Sequence, residues 1–231
     1  MKTIGLLGGI TCESSLLYYQ LINRMVRERL GGHHSAKSVM VSVDFAEIQP
    51  LTEKGEWGQV LAILLKAARD IENAGADLLV LCANTAHKLA AEIEAGIRIP
   101  IVHIVDATAR EIQRAGFTRV GLLGTRFTME EEFFSGRLKE RHGIEAIVPD
   151  REERLRVHRI IIDELALGVI NAASGQAVGK VSEGLIARGA QAIILGCTEL
   201  PLLVTPDRFR VPIFDTTNIH ARAAVDRALG S

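Results

Sequence analysis

Short apolar runs rich in β-branched residues alternate along this chain with longer segments whose apolar positions recur at helical spacing. That alternation points to parallel strands joined by crossover helices. A strand covered on both faces reads as a continuous apolar run, and a parallel neighbour is reached only through a long connection. The runs predict strands near residues 3–7, 38–44, 77–81, 99–104, 119–123, 144–148, 192–195 and 211–215. Helical spacing from Ser14 to Leu30 stops at Gly31-Gly32, a glycine stop signal. Thr128 with Glu131, and Asp150 with Glu153, have capping-box spacing and predict two more helix starts.

The second half of the chain repeats the first. Ile4-Gly5-Leu6-Leu7-Gly8-Gly9 returns as Val120-Gly121-Leu122-Leu123-Gly124-Thr125 at an offset of 116. Val80-Leu81-Cys82-Ala83-Asn84-Thr85 overlays Ile194-Leu195-Gly196-Cys197-Thr198-Glu199 at 114, and Arg98-Ile99-Pro100-Ile101 overlays Arg210-Val211-Pro212-Ile213 at 112. Blocks in one order at a nearly constant offset indicate a duplicated domain, since the period is too long for a solenoid. The expected class is α/β, with two pseudo-symmetric lobes, each a four-stranded parallel sheet flanked by helices. Residues 1–98 plus 214–231 would form one lobe and 99–213 the other. An active-site cleft is expected between the lobes, because open α/β sheets bind ligands beyond the carboxyl ends of their strands.

Composition narrows the function. A 231-residue chain with 48% hydrophobic residues can build its core without metals or disulfides. Lys and Arg number 27 against 28 Asp and Glu, so no broad basic face exists for a nucleic-acid partner. The longest apolar runs, such as 78–83, fall far short of the roughly 20 residues that span a bilayer, so no membrane partner is expected. Met1-Lys2-Thr3 leads straight into a strand with no cleavage signal, and a cytoplasmic location is expected. Cys12, Cys82 and Cys197 form no CxxC pair and read as thiols. The seven histidines lack ligand spacing, so no metal site is expected.

Chemistry concentrates at the end of the third strand of each repeat, in Ala83-Asn84-Thr85 and Cys197-Thr198-Glu199. A thiol leaving a strand just ahead of a helix lies near amide donors and a positive dipole end, which favours the thiolate. Cys197 is therefore a candidate base, although a buried cysteine is also simply a small hydrophobe. Cys82 stands one residue earlier than the matching position and should point to the opposite face. Gly8-Gly9 followed by Ser14 and Ser15 offers amides for an anion without matching a nucleotide-binding fingerprint. Thr125 and Thr128 occupy the corresponding second turn, where they can hold a carboxylate or cap a helix. His87, three residues beyond Asn84, can touch the cleft or pack.

Leu6-Leu7-Gly8-Gly9, Asn84-Thr85-Ala86-His87, Gly124-Thr125 with Thr128-Met129, and Gly196-Cys197-Thr198-Glu199 together resemble the aspartate/glutamate racemase family over nearly the whole chain. The resemblance implies an isomerase that uses no cofactor, usually a homodimer, with two facing cysteines that move the Cα proton on opposite faces. The first of these would directly precede Asn-Thr, where this chain has Ala83. Some aspartate-specific members carry an arginine after the second strand and a lysine in a second-lobe helix; the matching stretches here are Glu47-Ile48-Gln49 and Asp163-Glu164. Gly55-Glu56-Trp57, Gly124-Thr125-Arg126 and residues 165–168 are similar to a broad-specificity bacterial subgroup whose first position is also not cysteine.

In that subgroup the substrate is held near Ile10, by the loop around Thr52 and by Ala83-Asn84-Thr85. The resemblance thus implies a racemase or epimerase of aspartate, glutamate or a similar small carboxylate. Cys197 is then expected to be the catalytic thiol, Ala83 to mark the missing first acid/base, and Ile10, Thr52, Asn84, Thr85, Thr125, Thr128 and Thr198 to bind substrate. The alternatives are a single-cysteine decarboxylase or lyase of the same superfamily, and a binding protein for small carboxylates without catalysis.

Overall fold

Strands and crossover helices alternate as the hydrophobic pattern requires. The computed structural model describes residues 1–204 and 209–230, so 205–208 of the expected second lobe and Ser231 lie outside the described residues. The chain forms two units: residues 1–103 with the stretch from His220 onward, and Ile104–Ile219. These divisions compare with the expected 98/99 and 213/214.

The first unit contains β1 (Ile4–Gly8), α1 (Cys12–Leu30), β2 (Ser38–Ser42), α2 (Phe45–Lys54), α3 (Trp57–Asn73), β3 (Leu78–Leu81) and α4 (Ala90–Ala95). The second contains α5 (Ile104–Arg114), β4 (Arg119–Gly124), α6 (Arg126–Glu130), α7 (Glu132–His142), β5 (Glu145–Ile147), α8 (Arg151–Arg159), α9 (Ala172–Ala187), β6 (Ile193–Gly196) and β7 (Ile213–Asp215). The last helix, α10 (Thr216–Leu229), begins in the second unit and returns to the first. Both sheets are parallel, in the orders β2-β1-β3 and β5-β4-β6-β7.

Strand alternation decides which helices each side chain meets. Ile4, Leu6, Leu78, Val80 and Cys82 pack with Tyr18, Ile22 and Val26 of α1 and with Ala224 and Val225 of α10. Leu7, Leu79, Leu81 and Ala83 point the other way, into a cluster with Val60, Leu64, Ala67 and Ile71 of α3. With both faces covered, β1 and β3 need apolar residues at every position, which is why their sequences show no polar alternation.

The first sheet has three strands where four were expected. The run at 99–104 makes a single bridge, Leu79 to Ile101, with Leu79 N–H donating to Pro100 O and Val102 N–H to Leu79 O. The next acceptor in that ladder, Val102 O, instead takes His220 Nε2 at 2.5 Å, and α5 starts two residues later. Its counterpart in the second unit, β7, pairs over three residues with β6.

Helix ends follow the signals in most places. Gly31 closes α1 with φ 74° and donates to Arg27 O, and Asp150 with Glu153 forms both halves of a capping box. Thr128 does not start a helix: it is buried inside α6, whose cap is Thr125, and α7 begins after Glu131. Thr125 has the extended backbone a cap requires and its hydroxyl accepts the Thr128 N–H. Among the described residues no helix is long and apolar enough to cross a membrane.

Candidate active site

In each sheet the chain goes first to one side of the opening strand and then to the other. The strand order therefore reverses between β1 and β3 in the first unit and between β4 and β6 in the second. At such a reversal the two connections leave in opposite directions and open a crevice at the carboxyl ends of the strands. Register places Leu7 opposite Leu81, so Gly8 and Gly9 lie beside Cys82 and Ala83. Likewise Gly124 lies opposite Gly196, so Thr125 and Cys197 leave adjacent strands side by side. Tertiary structure thus puts the two sequence-derived clusters at equivalent switch points.

In the second unit the glycines serve close packing. A β-carbon on Gly124 would lie 2.9 Å from Gly196 O, and the Thr128 methyl would lie 3.0 Å from a β-carbon on either glycine. Thr128 is fully buried there, and its hydroxyl lies 3.2 Å from that of Thr125. Cys197, Thr198 and Glu199 are all buried. The Cys197 thiol donates to Glu199 Oε2 at 2.9 Å, and the Thr198 hydroxyl donates to the same oxygen at 2.5 Å. Burial, then the negative charge of Glu199 and the bond to it, pushes the thiol well above its ordinary range. This corrects the expectation that the strand end enriches the thiolate. Backbone bonds do pull the other way, but the buried carboxylate outweighs them.

Sequence reading named Glu199 only as a neighbour. The available signal was a carboxylate two residues past a strand-end thiol in an otherwise apolar stretch, since a buried glutamate needs donors.

In the first unit, Cys82 faces the α1 and α10 core, and burial raises its thiol strongly. It cannot take the place of Ala83, whose side chain is on the opposite face. Asn84 is buried, and Thr85 opens a 3-10 turn, Thr85–Leu89. His87 lies in that turn and its Nδ1 bonds Ala83 O at 3.0 Å. Burial holds the His87 imidazole neutral, well below its ordinary value, aided by the His103 and His220 rings beside it. His87 therefore supports the strand end by fixing the carbonyl of Ala83.

The serine-rich turn is not an open anion cradle. Gly9 N–H donates to Ser15 Oγ at 2.8 Å, Ser14 Oγ donates to Cys82 O at 2.8 Å, and both serines are buried. Ile10 is half-buried against the α3-side cluster, and Thr52 sits in the last turn of α2 with its hydroxyl bonded to Gln49 O. Among the described residues no group of three His, Cys, Asp or Glu could hold a metal ion.

The chain is similar to known proteins in sequence and in fold. The model of the family described as Asp/Glu/Hydantoin racemase matches residues 7–224. The broad-specificity amino-acid racemase RacX of Bacillus subtilis is 29% identical over 167 residues, 72% of this chain and 71% of that protein. A candidate Asp/Glu racemase from Yersinia pestis has a solved structure with TM-score 0.93 and 51% identity, covering 99% of this chain and all of that one. An aspartate racemase homologue from Pyrococcus horikoshii gives TM-score 0.86 and 36% identity over 99% and 100% of the two chains.

Proposed function

Because the chain belongs to the Asp/Glu/hydantoin racemase family, we propose that it is an amino-acid racemase or epimerase that uses no cofactor and acts on aspartate, glutamate or a similar small carboxylate. The observation that carries this reading is the Cys197–Glu199 pair. A buried thiol alone is a poor base. With a carboxylate in contact, the S–H proton passes to Glu199 Oε2 as the sulfur takes the Cα proton, so net charge in the buried site is conserved. In reverse, the thiol returns its proton to Cα and recovers one from Glu199.

The resemblance assigns substrate contacts to Ile10, Thr52, Asn84 and Thr85 in the first unit, and the hydroxyls of Thr125, Thr128 and Thr198 are the candidates in the second. Hydroxyl and amide donors of this kind stabilise the enediolate as its charge forms. Thr128, fully buried, acts by holding Thr125. The acid/base for the opposite face stays unassigned at Ala83. A homodimer belongs to the same proposal and rests on the resemblance.

One observation favours a second reading. Cys82 is turned into the core and Ala83 carries no proton donor, so of the equivalent positions 83 and 197 only the second presents a thiol. One thiol suffices for a decarboxylase or lyase that protonates an enediolate on a single face. The deciding experiment follows Cα deuterium incorporation from D2O into L- and D-aspartate and glutamate, with chiral analysis, for wild type and Cys197→Ser. Exchange with inversion that disappears in the variant is expected. Exchange with retention, or carbon dioxide release from a malonate-type acid, would replace the racemase by the one-thiol reaction. Exchange undiminished in the variant would remove Cys197 from the mechanism.

A further inference from the structure

We propose that Arg126 is a specificity-determining residue that pairs with a carboxylate on the substrate's side chain, making dicarboxylic amino acids better substrates than their amides. The inference rests on the racemase reading and names its substrate class.

Arg126 directly follows Thr125 at the carboxyl end of β4, the strand that lies beside β6 and its Cys197 end. Its backbone N–H is fixed by His158 Nδ1, from the last turn of α8, at 3.3 Å. Its guanidinium carbon rests 4.9 Å from the centre of the Phe127 ring. A guanidinium seated on an aromatic face keeps its in-plane N–H groups free to meet a carboxylate edge-on, with little side-chain freedom left to lose on binding.

No carboxylate among the described residues pairs with it. Three other arginines of the same unit do have carboxylate partners: Arg137 with Asp106, Arg154 with Glu130 and Arg119 with Glu145. The local charge also calls for a cation, because Glu199 places a buried negative charge in contact with Cys197. A substrate bearing two carboxylates would be repelled there unless a positive group offset the charge.

The test compares aspartate with asparagine, which differ in side-chain charge at nearly constant shape. Arg126→Met should lower the ratio of kcat/KM for aspartate to that for asparagine at least tenfold, chiefly through KM. Arg126→Lys should recover part of the ratio, and Phe127→Leu, which removes the seat and keeps the charge, should lower it less. A ratio within twofold of wild type in Arg126→Met would overturn the proposal. Calorimetry with succinate and succinamate makes the same comparison without turnover. If wild type exchanges no Cα hydrogen, the racemase reading fails, while weakening of succinate tenfold beyond that of succinamate still assigns Arg126. Equal weakening of the two ligands removes the assignment whatever the activity.

Discussion

The Cys197 sulfur lies 2.9 Å from Glu199 Oε2, and the same oxygen also accepts from Thr198. Two donors on one buried oxygen make the carboxylate, not the thiol, the local centre of negative charge. Glu199→Gln keeps the shape and removes the proton acceptor. Exchange on the Cys197 face should fall by about 10²- to 10⁴-fold, the usual worth of a positioned acid/base. Thiolate absorbance near the ultraviolet edge should meanwhile titrate at lower pH than in wild type, because the charge that raises the thiol is gone. A variant with wild-type exchange would show that Glu199 only packs.

Ala83 shares its strand face with Leu79 and Leu81 and ends that row. A thiol introduced there by Ala83→Cys stands at the position equivalent to Cys197. Inversion relative to exchange with retention should rise, read by chiral chromatography beside deuterium incorporation. An unchanged ratio would show that the opposite face is already served by another group.

His220 joins Tyr18 to Val102: the Tyr18 hydroxyl lies 2.8 Å from Nδ1, and Nε2 contacts Val102 O. This network fits a neutral imidazole protonated at Nε2. Burial lowers its pKa from 6.5 to about 4. The unfolded chain takes up a proton near pH 6.5 that the folded chain refuses until about pH 4. This contribution to stability is complete above pH 6.5, declines as the pH falls and is gone below about 4, a loss of roughly 3 kcal/mol. His87 shifts in the same direction and adds to the slope. Urea midpoints measured from pH 7 to pH 4 should fall, and a flat profile over that interval would contradict the neutral network.

Two glycines with positive φ should respond differently to alanine. At Gly9, φ is 94° and a β-carbon would meet Val43 O at 2.0 Å, a backbone atom with no freedom to move. At Gly31, φ is 74° and the space is open. Gly31→Ala should cost about 1–3 kcal/mol, the strain of a backbone conformation (φ 74°, ψ −176°) that essentially only glycine adopts. Gly9→Ala should cost clearly more, since the clash adds to that strain. Denaturant unfolding of the two variants checks the order.

Much of this molecule was legible in one dimension. Apolar runs without polar alternation mark strands covered on both faces, and the 116- and 114-residue offsets identify equivalent positions. Side-chain alternation along a strand was enough to turn Cys82 away from Ala83. Gly31 and the Asp150–Glu153 box worked as helix signals because their partners are local. Thr128–Glu131 has the same spacing, yet the cap went to Thr125 because the Thr128 methyl fills the space beside Gly124 and Gly196. The fourth strand of the first sheet shrank to a bridge because His220, 118 residues further along, bonds Val102 O. The ionisation of Cys197 is not legible in the sequence for a related reason: helix-end effects can be inferred from local order, whereas burial and the orientation of Glu199 depend on packing. Local spacing determined the elements and the duplication; tertiary structure decided strand order, burial and charge, which depend on contacts between residues far apart in the chain.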